Sequence, residues 1–243
     1  MENMGSLKVI DVSKHNGIID FDKVKAAGID GVIIRAGYGK VLKQQDPLFI
    51  QNYEGAKKAG LHVGAYWYSY AINEEEAQQE AAVFLQVIKG KQFDLPVYYD
   101  IEEETQAAKG ITLVDKIANT FCDIMQSNGY FVGLYTSTAW AYSYYSAATR
   151  KKFSLWVADW RGQNGYKETC DAWQYTCKGK VNGINGDVDM SVFYKYFPAT
   201  IKEGGFNGYP RNSSDINNGN TADSKQIELT IGGITYRGEV FRV

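Results

Sequence analysis

The sequence is poor in the residues that most often supply nucleophilic or metal chemistry. Its 243 residues include only two histidines, His15 and His62, and three cysteines. Neither histidine joins the polar residues that end the predicted strands, so a Ser-His-Asp or Cys-His mechanism is poorly supported. No CxxC or Cys/His spacing suggests zinc, and we expect no metal and no cofactor. Cys170 and Cys177 would lie more than about 20 Å apart on an extended strand, beyond disulfide reach, so we predict free thiols.

The chain also lacks a strong charge of either sign and a long apolar run. Its 26 basic and 28 acidic residues give a net charge of −2, which favours neither nucleic acid nor an anionic membrane as a partner. No apolar run approaches transmembrane length. The first eight residues lack the apolar segment of a signal peptide, so we predict none. No G-x-G-x-x-G motif or P-loop follows a predicted strand, which lowers the case for nucleotide binding.

Strand and helix signals alternate along most of the chain, and they predict an α/β fold. Asp20 and Asn73 are predicted helix N-caps, Pro47 is predicted to open a third helix, and Thr112 with Asp115 resembles a capping box. The predicted strands span residues 7–12, 31–36, 61–70, 95–101, 130–136, 154–159, 172–176 and 188–192. The gaps between the last three are too short for full helices. We therefore predict a TIM-like (β/α) barrel of eight strands with a reduced helix set, with an open doubly wound sheet as the alternative.

In such a barrel the active site collects at the carboxyl ends of the strands. The candidate residues there are Asp11, Arg35, Tyr66, Tyr68, Asp100, Glu102, Tyr135, Asp159, Trp173, Gln174, Tyr175, Asp187 and Asp189. Acids and aromatic residues therefore converge on one rim of the predicted barrel. Since no histidine joins them, carboxylates must do the acid–base work.

The strongest single feature is the pair Asp100 and Glu102 at the end of the fourth strand. Residues two apart on a strand project from the same face, with Cα atoms about 6.5 Å apart. Two acids this close cannot both ionise freely, so one pKa should rise. A proton-donating carboxyl beside a carboxylate is what glycosidic bond cleavage needs. A solvated loop or a metal-ligand pair has the same spacing, so the pair alone leaves those alternatives open.

Several segments together resemble the family 25 glycoside hydrolases, the lysozymes (N-acetylmuramidases) of bacteriophages and bacteria. They cover roughly residues 7–197 in the family's order. Most are weak singly, but together they are specific. They include Asp11-Val-Ser-Lys-His-Asn-Gly, Gly31-Val-Ile-Ile-Arg35, Ala65-Tyr66-Trp-Tyr68, Tyr99-Asp100-Ile-Glu102, Gly133-Leu-Tyr135-Thr, Leu155-Trp156-Val-Ala158, Trp173-Gln174-Tyr175 and Val188-Asp189. One departure is Phe21, where the family often has tryptophan.

The resemblance implies hydrolysis, with retention, of the β-1,4 bond between N-acetylmuramic acid and N-acetylglucosamine in bacterial peptidoglycan. It implies Glu102 as general acid/base, Asp100 as its partner, and Asp11 and Asp189 as further acids of the site. Asp100 either attacks as a nucleophile or steadies an oxazolinium formed by the substrate's own acetamido group, and the sequence leaves this open. The rivals are a barrel that binds wall glycans without cutting them, and a chitinase-type hydrolase whose longer acidic motif is absent.

The supporting residues each have a structural alternative. Tyr66, Tyr68, Tyr135 and Trp173 are candidate sugar platforms or barrel filling, and Gln174 is a candidate substrate contact. Arg35 is either a substrate contact or half of an ion pair. Asp159 either binds sugar or pairs with a cation such as Arg35. Asp11 could cap the following turn, Asp187 is expected in a turn, and Tyr98 is expected in the core.

The tail differs in composition from the rest. We predict a catalytic barrel over residues 1–197, a linker over 198–224 and a β-hairpin over 225–243 that turns at Gly232-Gly233. The alternation of Ile227, Leu229 and Ile231 favours a docking element or a homodimer contact. A wall-active enzyme without a signal peptide is expected to be an endolysin that leaves the cytoplasm of a phage-infected cell by a holin-type route.

Overall fold

A computed structural model describes residues 5–211 with their side chains and the backbone of residues 224–231 and 234–241. The chain forms two compact units, residues 1–211 and 212–243. The strands of the first unit are β1 Leu7–Val12, β2 Gly31–Tyr38, β3 His62–Tyr68, β4 Val97–Asp100, β5 Val132–Ser137, β6 Ser154–Ala158, β7 Ala172–Gly179 and β8 Val188–Phe193. Its α-helices are α1 Phe21–Ala26, α2 Phe49–Lys58, α3 Glu74–Ile88, α4 Glu104–Ala107, α5 Ile111–Ser127, α6 Thr138–Tyr144, α7 Ala147–Lys152 and α8 Phe197–Glu203.

The eight strands form a closed barrel in the order β1 to β8. The predicted α/β barrel is therefore confirmed, and the open-sheet alternative is wrong. Within residues 5–211 no helix separates β6, β7 and β8, as their short spacing predicts. Among the described helices none has the length and apolar character needed to cross a membrane.

The last strand runs against its neighbours, which the TIM-like prediction did not include. Strands β1 to β7 are parallel, whereas β8 is antiparallel to both β7 and β1. The beginning of β8, not its end, therefore lies at the rim formed by the carboxyl ends of the other strands. This reversal is what brings Asp189, near the start of β8, opposite Asp11 of β1.

Two predicted helix starts are confirmed by their caps. The Asp20 side chain accepts a hydrogen bond from the Lys23 backbone N–H at 3.1 Å. The Asn73 side chain accepts one from the Glu76 N–H at 2.9 Å, and three glutamates in the first turn of α3 suit the helix dipole.

Two other predicted starts are wrong. Helix α2 begins at Phe49 rather than Pro47, although the Asp46 side chain accepts from the Leu48 N–H at 3.0 Å just before it. Helix α5 begins at Ile111, and Asp115 accepts from the Ser146 N–H at 2.8 Å instead of closing a capping box.

Large aromatic side chains and small glycines fill the barrel together. Tyr98 is fully buried, as predicted, with its ring centroid 5.1 Å from that of Trp156. A Cβ at Gly133 would lie 2.5 Å from the Tyr98 ring and 2.6 Å from the Ser154 carbonyl oxygen. Glycine at position 133 therefore makes room for the aromatic ring next to it.

The predicted linker beginning at residue 198 starts too early. Helix α8 belongs to the barrel unit, with the Phe197 ring 5.6 Å from Phe131 and 6.0 Å from Phe193. The buried Asn207 side chain accepts from the Phe131 N–H at 2.7 Å and donates to the Leu95 carbonyl at 2.9 Å. Residues 194–211 thus close the rim opposite the carboxyl ends of β1 to β7, and residues 212–223 lie outside the described chain.

The second unit contains two antiparallel strands, β9 Ser224–Ile231 and β10 Ile234–Phe241. Their register pairs Ile231 with Ile234 and Ser224 with Phe241, in agreement with the predicted hairpin. The predicted turn at residues 232 and 233 lies outside the described residues, and the docking or dimer role stays a prediction.

Candidate active site

A cleft of about 400 Å³ opens at the rim where the strands β1 to β7 end and β8 begins. It brings together most of the residues that the sequence predicted at this rim. The predicted residues that line it are Asp11, Arg35, Tyr66, Tyr68, Asp100, Glu102, Tyr135, Gln174, Asp187 and Asp189. Sequence reasoning missed five further lining residues, which are Ser13, His15, Asn16, Trp156 and Trp160.

The two acids at the end of β4 differ sharply in environment. Asp100 is the last residue of β4 and is buried, whereas Glu102 follows two residues later and is exposed at the cleft. Within residues 5–211 the buried Oδ1 atom of Asp100 has no hydrogen-bond partner. An inner carboxylate with an uncommitted oxygen therefore lies beside an outer carboxyl that solvent and substrate can reach.

The pKa of both acids is raised. Burial, and then the Glu102 charge, raise the pKa of Asp100 well above its usual range, while the Arg35 guanidinium opposes the rise. Although Glu102 as a whole residue is exposed, desolvation of its carboxyl by the surrounding protein raises its pKa, and the neighbouring Glu103 and then Asp189 add to the rise. The sequence argument expected like charges to cause the rise, whereas desolvation is the larger cause for both groups.

Asp11 and Asp189 form the opposite side of the cleft. They are direct cross-strand partners in the antiparallel pairing of β1 and β8. Burial, and then the Asp189 charge, raise the pKa of Asp11 well above its usual range, and a hydrogen bond from Gln174 acts against them. Burial also raises the pKa of Asp189. Asp187 is exposed and pairs with Lys180 at 2.7 Å, in keeping with a turn position.

Arg35 is held by an ion pair, although it also lines the cleft. Its Nε and Nη2 atoms each lie 2.8 Å from Oδ2 of Asp46, which is almost fully buried. Asp46 also accepts from the Lys14 and Leu48 N–H groups. The ion pair fixes a positive charge close enough to Asp100 to oppose the rise in its pKa.

Asp159 and Trp173 are placed differently from the other candidates. Asp159 pairs with Arg161 at 2.6 Å and not with Arg35, and this contact holds the pKa of Asp159 well below its usual range. The Trp173 indole N–H donates to the Asp159 carbonyl at 2.9 Å, and the ring does not line the cleft. Asp159 lines a second cavity of about 510 Å³ that shares Glu102, Tyr135 and Trp160 with the first.

The aromatic residues are tied to acids and amides of the site. The Tyr68 hydroxyl donates to Glu103 Oε1 at 2.7 Å, and the Tyr135 hydroxyl donates to Gln174 Oε1 at 2.9 Å. Trp160, which is 53% exposed, lies between the two cavities. Reading one residue past the end of the sixth predicted strand would have found it.

This arrangement supplies protons and negative charge at a protected rim. Within residues 5–211 no group of three or more His, Cys, Asp or Glu side chains is placed to hold a metal ion. Four carboxyls with raised pKa in one cleft suit protonation of a leaving oxygen and stabilisation of a developing cation. An α/β barrel with such a site is typical of glycoside hydrolases.

Comparison with known proteins agrees with this class. The family model described as glycosyl hydrolases family 25 matches residues 10–184. The chain belongs to glycosyl hydrolases family 25.

The similar proteins include an autolytic lysozyme, an autolysin and an endolysin. The chain is 31% identical over 191 residues to the autolytic lysozyme of Clostridium acetobutylicum, which covers 77% of this chain and 56% of that protein. The structure is similar to the modular autolysin LytC from Streptococcus pneumoniae, with a TM-score of 0.68, 31% identity and coverage of 78% and 47% of the two chains. It is also similar to the CTP1L endolysin, with a TM-score of 0.70, 26% identity and coverage of 81% and 69%. The chain thus spans only about half the length of the first two of these relatives.

Proposed function

We propose that the protein is a 1,4-β-N-acetylmuramidase that hydrolyses the bond between N-acetylmuramic acid and N-acetylglucosamine in bacterial peptidoglycan. The observation that carries the proposal is the convergence of Asp11, Asp100, Glu102 and Asp189 in one cleft of a family 25 barrel. The similarity to LytC supports the substrate, since that autolysin has been solved in complex with a synthetic peptidoglycan ligand.

Glu102 acts in this proposal as the general acid/base. It is the exposed member of the β4 pair, so its carboxyl can reach the glycosidic oxygen. Its raised pKa keeps a proton available closer to neutral pH than an ordinary glutamate would. After the leaving group departs, the same carboxylate accepts a proton from the attacking water.

Asp100 acts in this proposal on the sugar ring, as a nucleophile or as a stabilising carboxylate. Retention follows either from attack by the Asp100 carboxylate or from attack by the 2-acetamido group, with Asp100 steadying the oxazolinium. The uncommitted Oδ1 atom favours the second route, because an acetamido N–H would supply the hydrogen bond that this buried oxygen lacks. Asp11 and Asp189 then stabilise the positive charge that develops on the ring.

The decisive experiment is digestion of purified peptidoglycan followed by identification of the new reducing sugar. Muramic acid at the new reducing ends supports the proposal. Glucosamine there, or no product, rejects it in favour of a chitinase-type enzyme or a non-cutting glycan-binding barrel. Glu102→Gln should abolish product formation while the circular dichroism spectrum and thermal midpoint stay close to those of the parent protein. A fluorosugar adduct on Asp100, detected by mass spectrometry, would exclude the substrate-assisted route.

We further propose that the hairpin β9–β10 is a docking or homodimer element, because two strands alone are marginally stable in water. Light scattering should give the mass of a dimer for the full chain if the hairpin is a homodimer contact, and the mass of a monomer for a chain ending at Arg211. Monomeric mass of both chains, with equal stability and wall binding, would reject this role. The similarity to the CTP1L endolysin supports release from the cytoplasm by a holin-type route. Expression in a bacterial host should then cause lysis only when a holin is co-expressed.

A further inference from the structure

The side-chain amide of Gln174 lies at the centre of a small hydrogen-bond network behind Asp11. Gln174 is on β7 and is only 2% exposed. Its Oε1 atom accepts from the Tyr135 hydroxyl at 2.9 Å and from the Trp160 indole N–H at 3.0 Å. Its Nε2 atom donates to Oδ2 of Asp11 at 2.9 Å. One buried amide therefore connects an acid, a tyrosine and an exposed tryptophan of the cleft.

Chemistry fixes the orientation of this amide. An indole N–H can only donate, so the group that faces Trp160 must be the oxygen of Gln174. The nitrogen then faces Asp11, and it donates to the Oδ2 atom of that carboxyl, which accepts. A flipped amide would place N–H against N–H and oxygen against carboxylate. The network has a single arrangement that satisfies every partner.

Asp11 needs such a donor because most of its surroundings disfavour its negative charge. Burial and Asp189 raise the pKa of Asp11, whereas the Gln174 hydrogen bond lowers it. The titratable and charged groups that line the cleft together with Asp11 are His15, Arg35, Tyr66, Tyr68, Asp100, Glu102, Tyr135, Asp187 and Asp189. The Arg35 charge is already engaged by Asp46. A neutral amide donor therefore holds the Asp11 carboxylate in place.

We propose that Gln174 is a positioning residue, which orients Asp11 against Asp189 and aims the Trp160 ring across the cleft. This inference rests on the proposed hydrolase function and revises the earlier assignment of Gln174 to substrate contact. The Gln174 oxygen is occupied by two protein donors, and its nitrogen is engaged by Asp11. The same amide contacts both the Trp160 N–H and Asp11, so it would connect a sugar stacked on the Trp160 ring to the Asp11 carboxyl.

The test uses Gln174→Met and Gln174→Glu in the full chain, with purified peptidoglycan as substrate. We measure kcat and KM from new reducing ends between pH 4 and pH 8. Methionine keeps the length of the side chain and removes its polar atoms. Its kcat should fall by about tenfold or more, since misplaced groups near the reacting atoms commonly cost this much. Its KM should change by less than about threefold. The acidic limb of its pH–kcat profile should move to higher pH, because the loss of the Gln174 donor raises the pKa of Asp11.

Gln174→Glu supplies a pH-dependent rescue. At neutral pH the introduced carboxylate faces Asp11 with an oxygen and repels it, so activity should fall at least as far as in Gln174→Met. At acidic pH the introduced carboxyl is protonated and can donate an O–H to Asp11. Its activity relative to Gln174→Met should therefore rise as the pH falls.

Ser191→Ala is the matched control. Ser191 is the cross-strand partner of Gln174 on β8, is buried, and accepts from the Trp156 indole N–H at 3.0 Å. Its loss removes one buried hydrogen bond at the same level of the barrel without touching Asp11. The thermal midpoint should fall while the acidic limb stays in place. A shift of this limb equal to that of Gln174→Met would overturn the proposal.

Two further results decide the remaining cases. A Gln174→Met protein with the parent's kcat and pH profile and a raised KM would show a substrate contact and overturn the proposal. If neither Gln174 variant folds by circular dichroism, Trp160→Phe at an exposed position removes one of the two donors to Oε1. It should move the acidic limb in the same direction, and an unmoved limb overturns the proposal. If the parent chain itself forms no new reducing ends, the proposed function fails instead.

Discussion

Asp11 of β1 and Asp189 of β8 lie directly opposite each other across an antiparallel ladder, so the barrel closes on two like charges. Like charges in this arrangement destabilise a sheet. Both groups have a raised pKa. The fold is therefore less stable with both carboxylates ionised than with one of them protonated.

The first prediction follows from the sign of these shifts. A carboxyl whose pKa is higher in the folded than in the unfolded state costs stability as the pH rises above about 4, its unfolded value. Asp189→Asn should therefore raise the free energy of unfolding by about 1–2 kcal/mol at pH 7 and leave it unchanged near pH 3. Urea unfolding at pH 3, 5 and 7 measures this. Asp187→Asn, at an exposed position, should show no such gain, and a pH-independent gain in Asp189→Asn would contradict the explanation.

The second prediction concerns the proton on Glu102. After burial, the Glu103 charge is the next largest cause of the raised pKa of Glu102. Glu103→Gln removes that charge, while its amide oxygen can still accept from the Tyr68 hydroxyl. The alkaline limb of kcat/KM should move to lower pH, because the acid loses its proton earlier. Glu104→Gln is the control, and equal profiles for both variants would rule out this role for Glu103.

The third prediction tests the ion pair beneath the cleft. Arg35→Met leaves the buried Asp46 carboxylate without its cation, and the free energy of unfolding should fall by about 3–5 kcal/mol. The double variant Arg35→Met with Asp46→Asn should recover part of this loss, because a neutral amide can still accept from the Leu48 N–H. Denaturant unfolding at pH 7 provides the values. A double variant less stable than Arg35→Met would contradict the charge argument.

The fourth prediction concerns a buried acid behind the cleft. Glu80 is 1% exposed and accepts hydrogen bonds from the Tyr99 hydroxyl at 2.6 Å and the Tyr70 N–H at 2.8 Å. Burial raises the pKa of Glu80, and the Tyr99 bond opposes that rise, so this bond stabilises mainly the ionised form. Tyr99→Phe should cost about 1–3 kcal/mol of stability at pH 7 and less at pH 4.

A comparison with Tyr53→Phe separates burial from the loss of a hydroxyl. The Tyr53 hydroxyl donates to the Gln92 carbonyl at 3.1 Å from a partly exposed position. Thermal melts at both pH values should show a smaller, pH-independent loss for this variant. Equal losses for the two variants would mean that Glu80 is not the group that responds to Tyr99.

Local pattern predicted much of the fold and the centre of the site. Strand periodicity located all eight barrel strands, and the period of two placed Asp100 and Glu102 on one face. The same reasoning could not give the direction of β8, since a strand's sequence is compatible with either direction of pairing. It also left α8 in a linker, because the contacts that hold residues 194–211 join Phe197 to Phe131 and Asn207 to Leu95, far apart in the chain.

The choice of partner accounts for most of the remaining errors at the site. Arg35 pairs with Asp46, and Asp159 with its near neighbour Arg161, whereas the sequence suggested that Arg35 and Asp159 could pair. The Gln174 contact to Asp11 joins residues 163 positions apart. Composition and spacing identify which groups could meet, but only the closed barrel determines which of them do.

The reversed eighth strand separates the active-site end of the barrel from the end that is closed by residues 194–211. Strand β8 begins at the cleft and ends at the opposite rim, so Asp189 comes first in the chain and residues 194–211, which close that rim, follow it. Residues 194–211 are therefore separated from Asp189 by the length of β8. Substitutions in α8 can then change the stability of the enzyme while the catalytic activity of the cleft stays the same.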